Sequence, residues 1–326
     1  MAGTALNYAE VWSPELLEIL MDGCYTSPFI TSNVKWLNAK TFHFTHMRTS
    51  GYKQHSRNGG WNKGEYVQED VPFTVQHDRD ISFLVDKADV DETNQTASIE
   101  NVSKTFHETQ QVPEIDAYFF SKVATEAAKL EGYHSETSRD VYTKDNVLSK
   151  LKSYIAAGKL KRHKSKGALI MYVAPFIMDL LELSTEFQRK IEMTQISESG
   201  LGIETRVTDI DGVSIIEVLE EERFYNKFDF TDGFVPVAKK EAAGEEEAIE
   251  GSKKINVLLA SASAVKTVPK INSIYYFAPG THTEGDGYLY QDRSLSDTFV
   301  FPNGKDNKID SIYVDLDTVE HTEEVA

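Results

Sequence analysis

Residues 41–75, TFHFTHMRTSGYKQHSRNGGWNKGEYVQEDVPFTV, decide how the rest of the chain is read. Phe42 and Phe44 alternate with Thr41, His43 and Thr45, the two-residue period of a strand. Tyr66, Val67, Phe73, Thr74 and Val75 form a second run of strand-favouring residues. Between the runs lie Gly51, Gly59, Gly60 and Gly64. The pattern predicts a long two-stranded hairpin with a glycine-rich tip, frayed around Pro72. Ile81-Ser82-Phe83 resumes the alternation, so residues 36–86 read as extended.

The tip has an unusual charge. Residues 48–64 carry Arg48, Lys53, Arg57 and Lys63 and no acidic residue, whereas the 326-residue chain has 34 basic against 52 acidic residues, a net −18. A lone two-stranded hairpin is marginal in water and needs a surface to lie on. Tyr52 and Trp61 supply apolar area for docking. The expectation is that Arg48, Tyr52, Lys53, Arg57, Trp61 and Lys63 lie across an acidic neighbouring copy of the chain. Two other readings compete, a solvated loop on an ordinary domain and a nucleic-acid-binding finger. The acidic remainder opposes the second, because it repels polyphosphate. Enclosing nucleic acid without reading its sequence stays compatible with such a surface.

The N-terminal segment makes a parallel demand for a partner. Ser13 is a good N-cap, Pro14 suits the first helical position, and Glu15 complements the dipole. Leu16, Leu17, Leu20 and Met21 form one apolar stripe, which Gly23 ends. A helix of about ten residues is marginal by itself, so this stripe is expected to dock. Residues 1–8 show no basic start or apolar stretch of a secretory signal. No apolar run nears the roughly 20 residues that span a bilayer. A cytoplasmic place of action and no membrane are therefore expected.

Past the hairpin the period changes. Ile115, Tyr118, Phe119, Val123, Ala127 and Leu130 fall at helical spacing before Gly132, with Pro113 where a helix from Thr93 or Thr96 would kink or restart. Thr143 is the expected cap of a second helix carrying Val147, Leu148, Leu151, Tyr154 and Ile155 up to Gly158. Residues 168–174 look like a buried strand, and Pro175 opens a helix through Leu183. Strands are expected at 213–218, 255–260, 271–278, 299–301 and 309–314. Residues 238–254 are a charged loop. The fold class is α+β.

No enzyme is expected, and no cofactor or metal. Asp89-Val-Asp-Glu-Thr and Asp209-Ile-Asp-Gly-Val fit the nucleophile motif of Mg²⁺-dependent haloacid dehalogenase-type phosphotransferases. That reading is the alternative from another class, but neither motif follows an apolar strand convincingly. The nine histidines form no metal-spaced pair with carboxylates, and Cys24, the single cysteine, excludes an intrachain disulfide. Residues 59–64, GGWNKG, lack the spacing of a phosphate-binding loop.

The order of parts resembles the tailed-bacteriophage capsid fold of the Hong Kong 97 type: arm, extended hairpin (E-loop), long spine helix, axial domain and a return to the peripheral domain. Residues 73–94, FTVQHDRDISFLVDKADVDETN, look like the return strand before the spine in capsid proteins of phages from Gram-positive hosts. Residues 112–124, VPEIDAYFFSKVA, look like the spine, and residues 290–294 and 309–314 resemble the closing strands. The resemblance implies an arm at 1–39, an E-loop at 40–86, a peripheral domain at 87–140 with 285–319, an axial domain at 141–284 and a tail at 320–326. It implies a major capsid protein that builds hexamers and pentamers of an icosahedral head around double-stranded DNA. Its partners would be copies of itself, a separate scaffolding protein and a portal protein. Its place would be the virion, after assembly in the host bacterial cytoplasm. Pro113 would be a flex point of the spine. A cellular nanocompartment shell of the encapsulin type is the nearest alternative.

Overall fold

The computed structural model describes residues 23–31, 40–55, 59, 61–87, 99–184, 208–240, 248–302 and 308–322. Strands β1 (Thr41–Thr49) and β2 (Tyr66–Thr74) form the expected hairpin, antiparallel and, among the described residues, paired only with each other. Its register runs unbroken from Thr41 opposite Thr74 to Thr49 opposite Tyr66. The expected fraying at Pro72 is absent: Pro72 sits in register opposite His43. A two-stranded ribbon has two free edges, where a missing N–H is tolerated.

Strand β3 (His77–Asp86) alternates strictly between half-buried and exposed residues. It leaves the hairpin and becomes the edge of a three-stranded sheet. The spine follows as α1 (Ile99–Phe106), a π-helical turn (His107–Gln111) and α2 (Val112–Ala128). These run without a break over residues 99–128, roughly 45 Å at about 1.5 Å per residue. The helix passes through Pro113 instead of restarting there. The irregularity lies just before it, where the Val112 N–H reaches back five residues to the His107 carbonyl.

Strand β4 (His134–Glu136) leads to α3 (Val147–Ala156). This helix starts one turn later than a Thr143 cap would place it. Asn146 organises the turn instead, its side chain accepting from the Thr143 N–H and donating to the Val141 carbonyl. The short α4 (Lys161–Lys164), β5 (Leu169–Val173) and α5 (Pro175–Glu182) come next. Then follow β6 (Thr208–Ile210), β7 (Val213–Glu217), β8 (Phe228–Asp229) and β9 (Val235–Pro236). The chain closes with β10 (Lys253–Ser261), β11 (Val265–Phe277), β12 (Gly287–Val300) and β13 (Ile312–Glu320).

Two larger sheets organise these strands. One is six-stranded in the order β4-β13-β10-β5-β7-β6; the other is three-stranded, β11-β12-β3. Their membership does not follow a boundary at residue 284. Strand β11 precedes it yet pairs with β12, and β13 follows it yet pairs with β10. Helix α2 lies between the sheets, which explains why its buried face is wider than one stripe. Phe119, Phe120 and Val123 pack with Tyr172, Leu258 and Val314 of the larger sheet. Tyr118 faces the other way, stacking on His77 at 4.0 Å and donating to Asp297. A second core, with Leu151, Ile155, Met171, Ile177 and Leu259, fills the far face of the six-stranded sheet.

Candidate functional site

The hairpin is anchored at one end and free at the other. At the base, Phe42 stacks on Phe73 with ring centroids 5.7 Å apart, and Phe299 meets both edge-on at 5.2 and 5.3 Å. Phe301 closes the group at 5.1 Å from Phe73. Val75, Val268 and Leu295 complete this cluster, in which Phe42 is only 2% exposed. The alternating phenylalanines that marked the strand thus send Phe42 into the body of the protein.

At the tip the situation reverses. Tyr52 is fully exposed and Trp61 is 95% exposed, with Met47, Tyr66 and Val67 exposed along the stem. The loop is shaped by its own polar bonds. The Ser50 N–H donates to the Glu65 carbonyl, the Glu65 N–H to the Ser50 hydroxyl, and the Asn62 amide to the Gln54 carbonyl at 2.9 Å. Lys53 donates to the Lys63 carbonyl, and neither lysine pairs with a carboxylate among the described residues. Arg48 stands in β1 opposite Val67. Arg57 and the arm residues Leu16, Leu17, Leu20 and Met21 lie outside the described residues.

Residues 24–26 are fixed to the spine by one buried carboxylate. Asp116 accepts from the Tyr25 and Thr26 N–H groups at 3.1 Å each, from the Thr26 hydroxyl at 2.8 Å and from the Cys24 thiol at 3.0 Å. Arg223 donates at 2.9 Å to Oδ2, the oxygen that also accepts from the Tyr25 N–H. Burial opposes the charge on Arg223, but Asp116 and Glu220 outweigh it and raise its pKa. Burial, then the nearby carboxylate, pushes the Cys24 thiol up as well, so it stays protonated and inert. The cluster escaped sequence reading; its only trace was a lone aspartate on the apolar face of a helix.

A second buried group locks the π-turn to β12. His107, wholly buried, hydrogen-bonds Gln111 through Nδ1 and the Tyr290 hydroxyl through Nε2 at 2.8 Å. Asp292 lies 3.4 Å from the same hydroxyl. Burial lowers the His107 pKa and raises that of Asp292 to about 6. A further buried aspartate, Asp315, gathers Ser135, Thr137, Tyr142 and Asn256 between β4 and β13.

The Asp209 motif has a structural explanation. Asp209 accepts from the Gly212 N–H across the β6–β7 turn, where Asp211 and Gly212 both have positive φ, 55° and 80°. Aspartate followed by glycine is the sequence signature of such a hairpin turn. Asp89 lies outside the described residues. Among the described residues no helix is long and apolar enough to cross a membrane.

No protein-family model and no curated protein sequence matches the chain. Solved structures do. The mature capsid of bacteriophage PhiM1 aligns over 90% of this chain and 87% of that one, at 13% identity and a TM-score of 0.57. The capsid of Cyanophage P-SCSP1u aligns over 89% and 86%, at 11% identity and a TM-score of 0.53. The likeness therefore lies in the path of the backbone, not in side chains. The chain has the α+β capsid-shell fold of the Hong Kong 97 type.

Proposed function

We propose that this chain is the major capsid protein of a tailed bacteriophage, forming hexamers and pentamers of an icosahedral head that encloses double-stranded DNA. One observation carries the reading beyond the fold: an anchored hairpin presents Tyr52, Trp61 and two unpaired lysines to solvent. Burying aromatic area on a neighbouring copy supplies affinity, and opposite charge supplies encounter and register. The acidic balance of the chain, −18, provides the complementary surface.

In this reading the spine with the three-stranded sheet forms the peripheral body, and the six-stranded sheet forms the axial body at the capsomer centre. Obligate contacts of this kind bury on the order of 2,000–5,000 Å² each. The arm helix with Leu16, Leu17, Leu20 and Met21 docks on an adjacent subunit. A separate scaffolding protein and a portal protein assist assembly in the host bacterial cytoplasm. Pro113, beside the π-turn, marks where the spine bends as the shell expands.

Electron microscopy of the purified protein, alone and co-produced with the products of adjacent genes, tests the proposal. Closed icosahedral shells are expected. A subunit that stays monomeric under both conditions overturns the reading, and shells filled with a protein cargo in place of DNA transfer it to a cellular compartment. Replacing Asp89 and Asp209 with Asn leaves assembly intact. Phosphatase activity lost on those changes would rescue the enzyme alternative.

A further inference from the structure

Residues 146–178 hold seven of the 34 basic residues of the chain and none of the 52 acidic ones. Five of the seven, Lys159, Lys161, Arg162, Lys164 and Lys166, fall within eight positions around α4. Two buried side chains pin this stretch to one end of the six-stranded sheet. Leu160 packs in the core beside Leu151 and Ile155, and His163 Nε2 lies 3.2 Å from the buried Asp310 ahead of β13. Lys159, Lys161, Arg162 and Lys166 are exposed. Lys164 lies 3.9 Å from Asp211 and Arg162 3.8 Å from Asp310. Lys159, Lys161 and Lys166 have no ion-pair partner among the described residues. Backbone bonds keep the stretch coiled, from the Leu160 N–H to the Ala157 carbonyl through to Gly167 and Lys164. Lys159, Arg162 and Lys166 are thus three and four residues apart, the spacing at which helical side chains stand about 5–6 Å from one another.

A helix C-terminus carries about half a negative charge, which one cation already meets, so helix capping does not account for the set. Its surroundings select the partner. No large hydrophobic side chain of residues 146–178 is exposed, whereas contacts between proteins are built on buried aromatic and apolar anchors. Interfaces with duplex DNA are polar and strongly positive. No aromatic ring of the stretch is exposed either, which leaves no platform for stacking the bases of a single strand. Lysine and arginine without base-reading amides contact phosphate and carry no sequence information. The acidic excess elsewhere does not cancel the patch, because charges more than about 8 Å apart are largely screened at physiological salt. We propose that Lys159, Lys161, Arg162 and Lys166 form a sequence-independent contact for the phosphate backbone of duplex DNA, on the inward face of the shell. The proposal rests on the shell-building reading and names the part of the subunit that meets the enclosed polymer. One short cationic row in each subunit holds the outermost DNA at the wall, and the acidic remainder leaves the polymer free to slide between rows.

Two measurements on the full-length protein test it. Unassembled subunits are first titrated with a short DNA duplex of arbitrary sequence over a range of salt concentrations. Four phosphate contacts give a slope of about −3.6 for the logarithm of the binding constant against that of salt. Lys161→Gln with Arg162→Gln and Lys166→Gln brings the slope to about −1 and cuts affinity at low salt about tenfold or more. The same change at three exposed or half-exposed lysines elsewhere, Lys40, Lys122 and Lys129, leaves both unchanged. Subunits that bind no duplex, or an equal loss from the two variants, overturn the proposal. Poly-L-glutamate that displaces the duplex as well as unlabelled DNA does, at matched charge, assigns the patch to an acidic protein and overturns it too. Closed shells free of DNA are then mixed with a plasmid too large to enter, and no binding is expected. Shells that bind the plasmid as their subunits bind duplex place the patch outside and overturn the contact with enclosed DNA, while the shell-building reading stands. A chain that forms no shells overturns that reading and the inward placement, and the titration still decides the phosphate contact.

Discussion

The two ends of the hairpin obey opposite rules. At the base, Phe42, Phe73, Phe299 and Phe301 meet in one cluster, and truncating such a ring leaves a hole that the surroundings cannot fill. At the tip, Tyr52 and Trp61 offer comparable aromatic surface to water, where they contribute nothing to the stability of the subunit. Residues of one chemical type, on one ribbon, thus serve folding at one end and, in the proposed shell-building role, association at the other. What separates the roles is whether a partner surface exists within the same chain.

Breaking that division at the tip has the largest expected effect. Changing Lys53, Arg57 and Lys63 together to Glu abolishes closed shells by electron microscopy, while thermal unfolding of the subunit moves by no more than a few degrees. Normal shells from this variant would reduce the tip charges to ornament. Around residues 24–26, Asp116→Ala strips buried Arg223 of its buried carboxylate, leaving only the largely exposed Glu220, and costs about 3–5 kcal/mol in chemical denaturation. At the hairpin base, Phe42→Ala costs about 3–4 kcal/mol by the same measurement. The matching change at the tip, Trp61→Ala, stays within about 0.5 kcal/mol of wild type in the monomer and registers in assembly alone.

Asp292 gives an intermediate effect with a defined pH dependence. Burial raises its pKa to about 6 in the folded chain, so the folded state holds the proton more tightly than the unfolded one. The stability linked to this group is fully present below about pH 4 and is lost as pH rises through the folded value. Asp292→Asn therefore stabilises the subunit by roughly 2–3 kcal/mol above neutrality and by little below about pH 4. Denaturation curves across that range check the sign; an equal effect at both ends would place the ionised carboxylate in a favourable setting.

The hairpin, the spine and the buried strand β5 were legible because each has a clean period. Strands β11 and β12 were harder to see. The expected strand at 271–278 begins six residues late, because Pro269, at a register shift, broke the pattern. Of β12 the residue pattern marked only the end, within 299–301, and the resemblance placed a closing strand at 290–294; Asp292, Ser294 and Ser296 turn toward the spine and interrupt any apolar alternation. Strand β3, with its strict alternation, shows how little polarity the reading tolerates before it fails. The π-turn was invisible, since helical spacing survives it on both sides. The Asp116 and Asp315 clusters were hidden for another reason: their partners are 59 or more residues away in Cys24, Thr26 and Arg223, or in Ser135, Tyr142 and Asn256. What sequence pattern reports is which face of an element is apolar; it is silent on which distant polar group will meet a lone carboxylate there.

The wide turn at His107–Gln111 also fixes the phase of the spine. Ile99 ahead of it and His107 at its start address the three-stranded sheet, and behind it Phe119 and Phe120 address the larger one. Each residue added to or removed from a helix swings everything beyond it by about 100°. A deletion within 107–111 would restore a regular helix and, by the same stroke, rotate one half's contact face away from its sheet. The spine is thus a part whose length is counted to the residue, so that gene changes which keep every side chain but alter the tally by one would be purged, while substitutions along it are weighed singly.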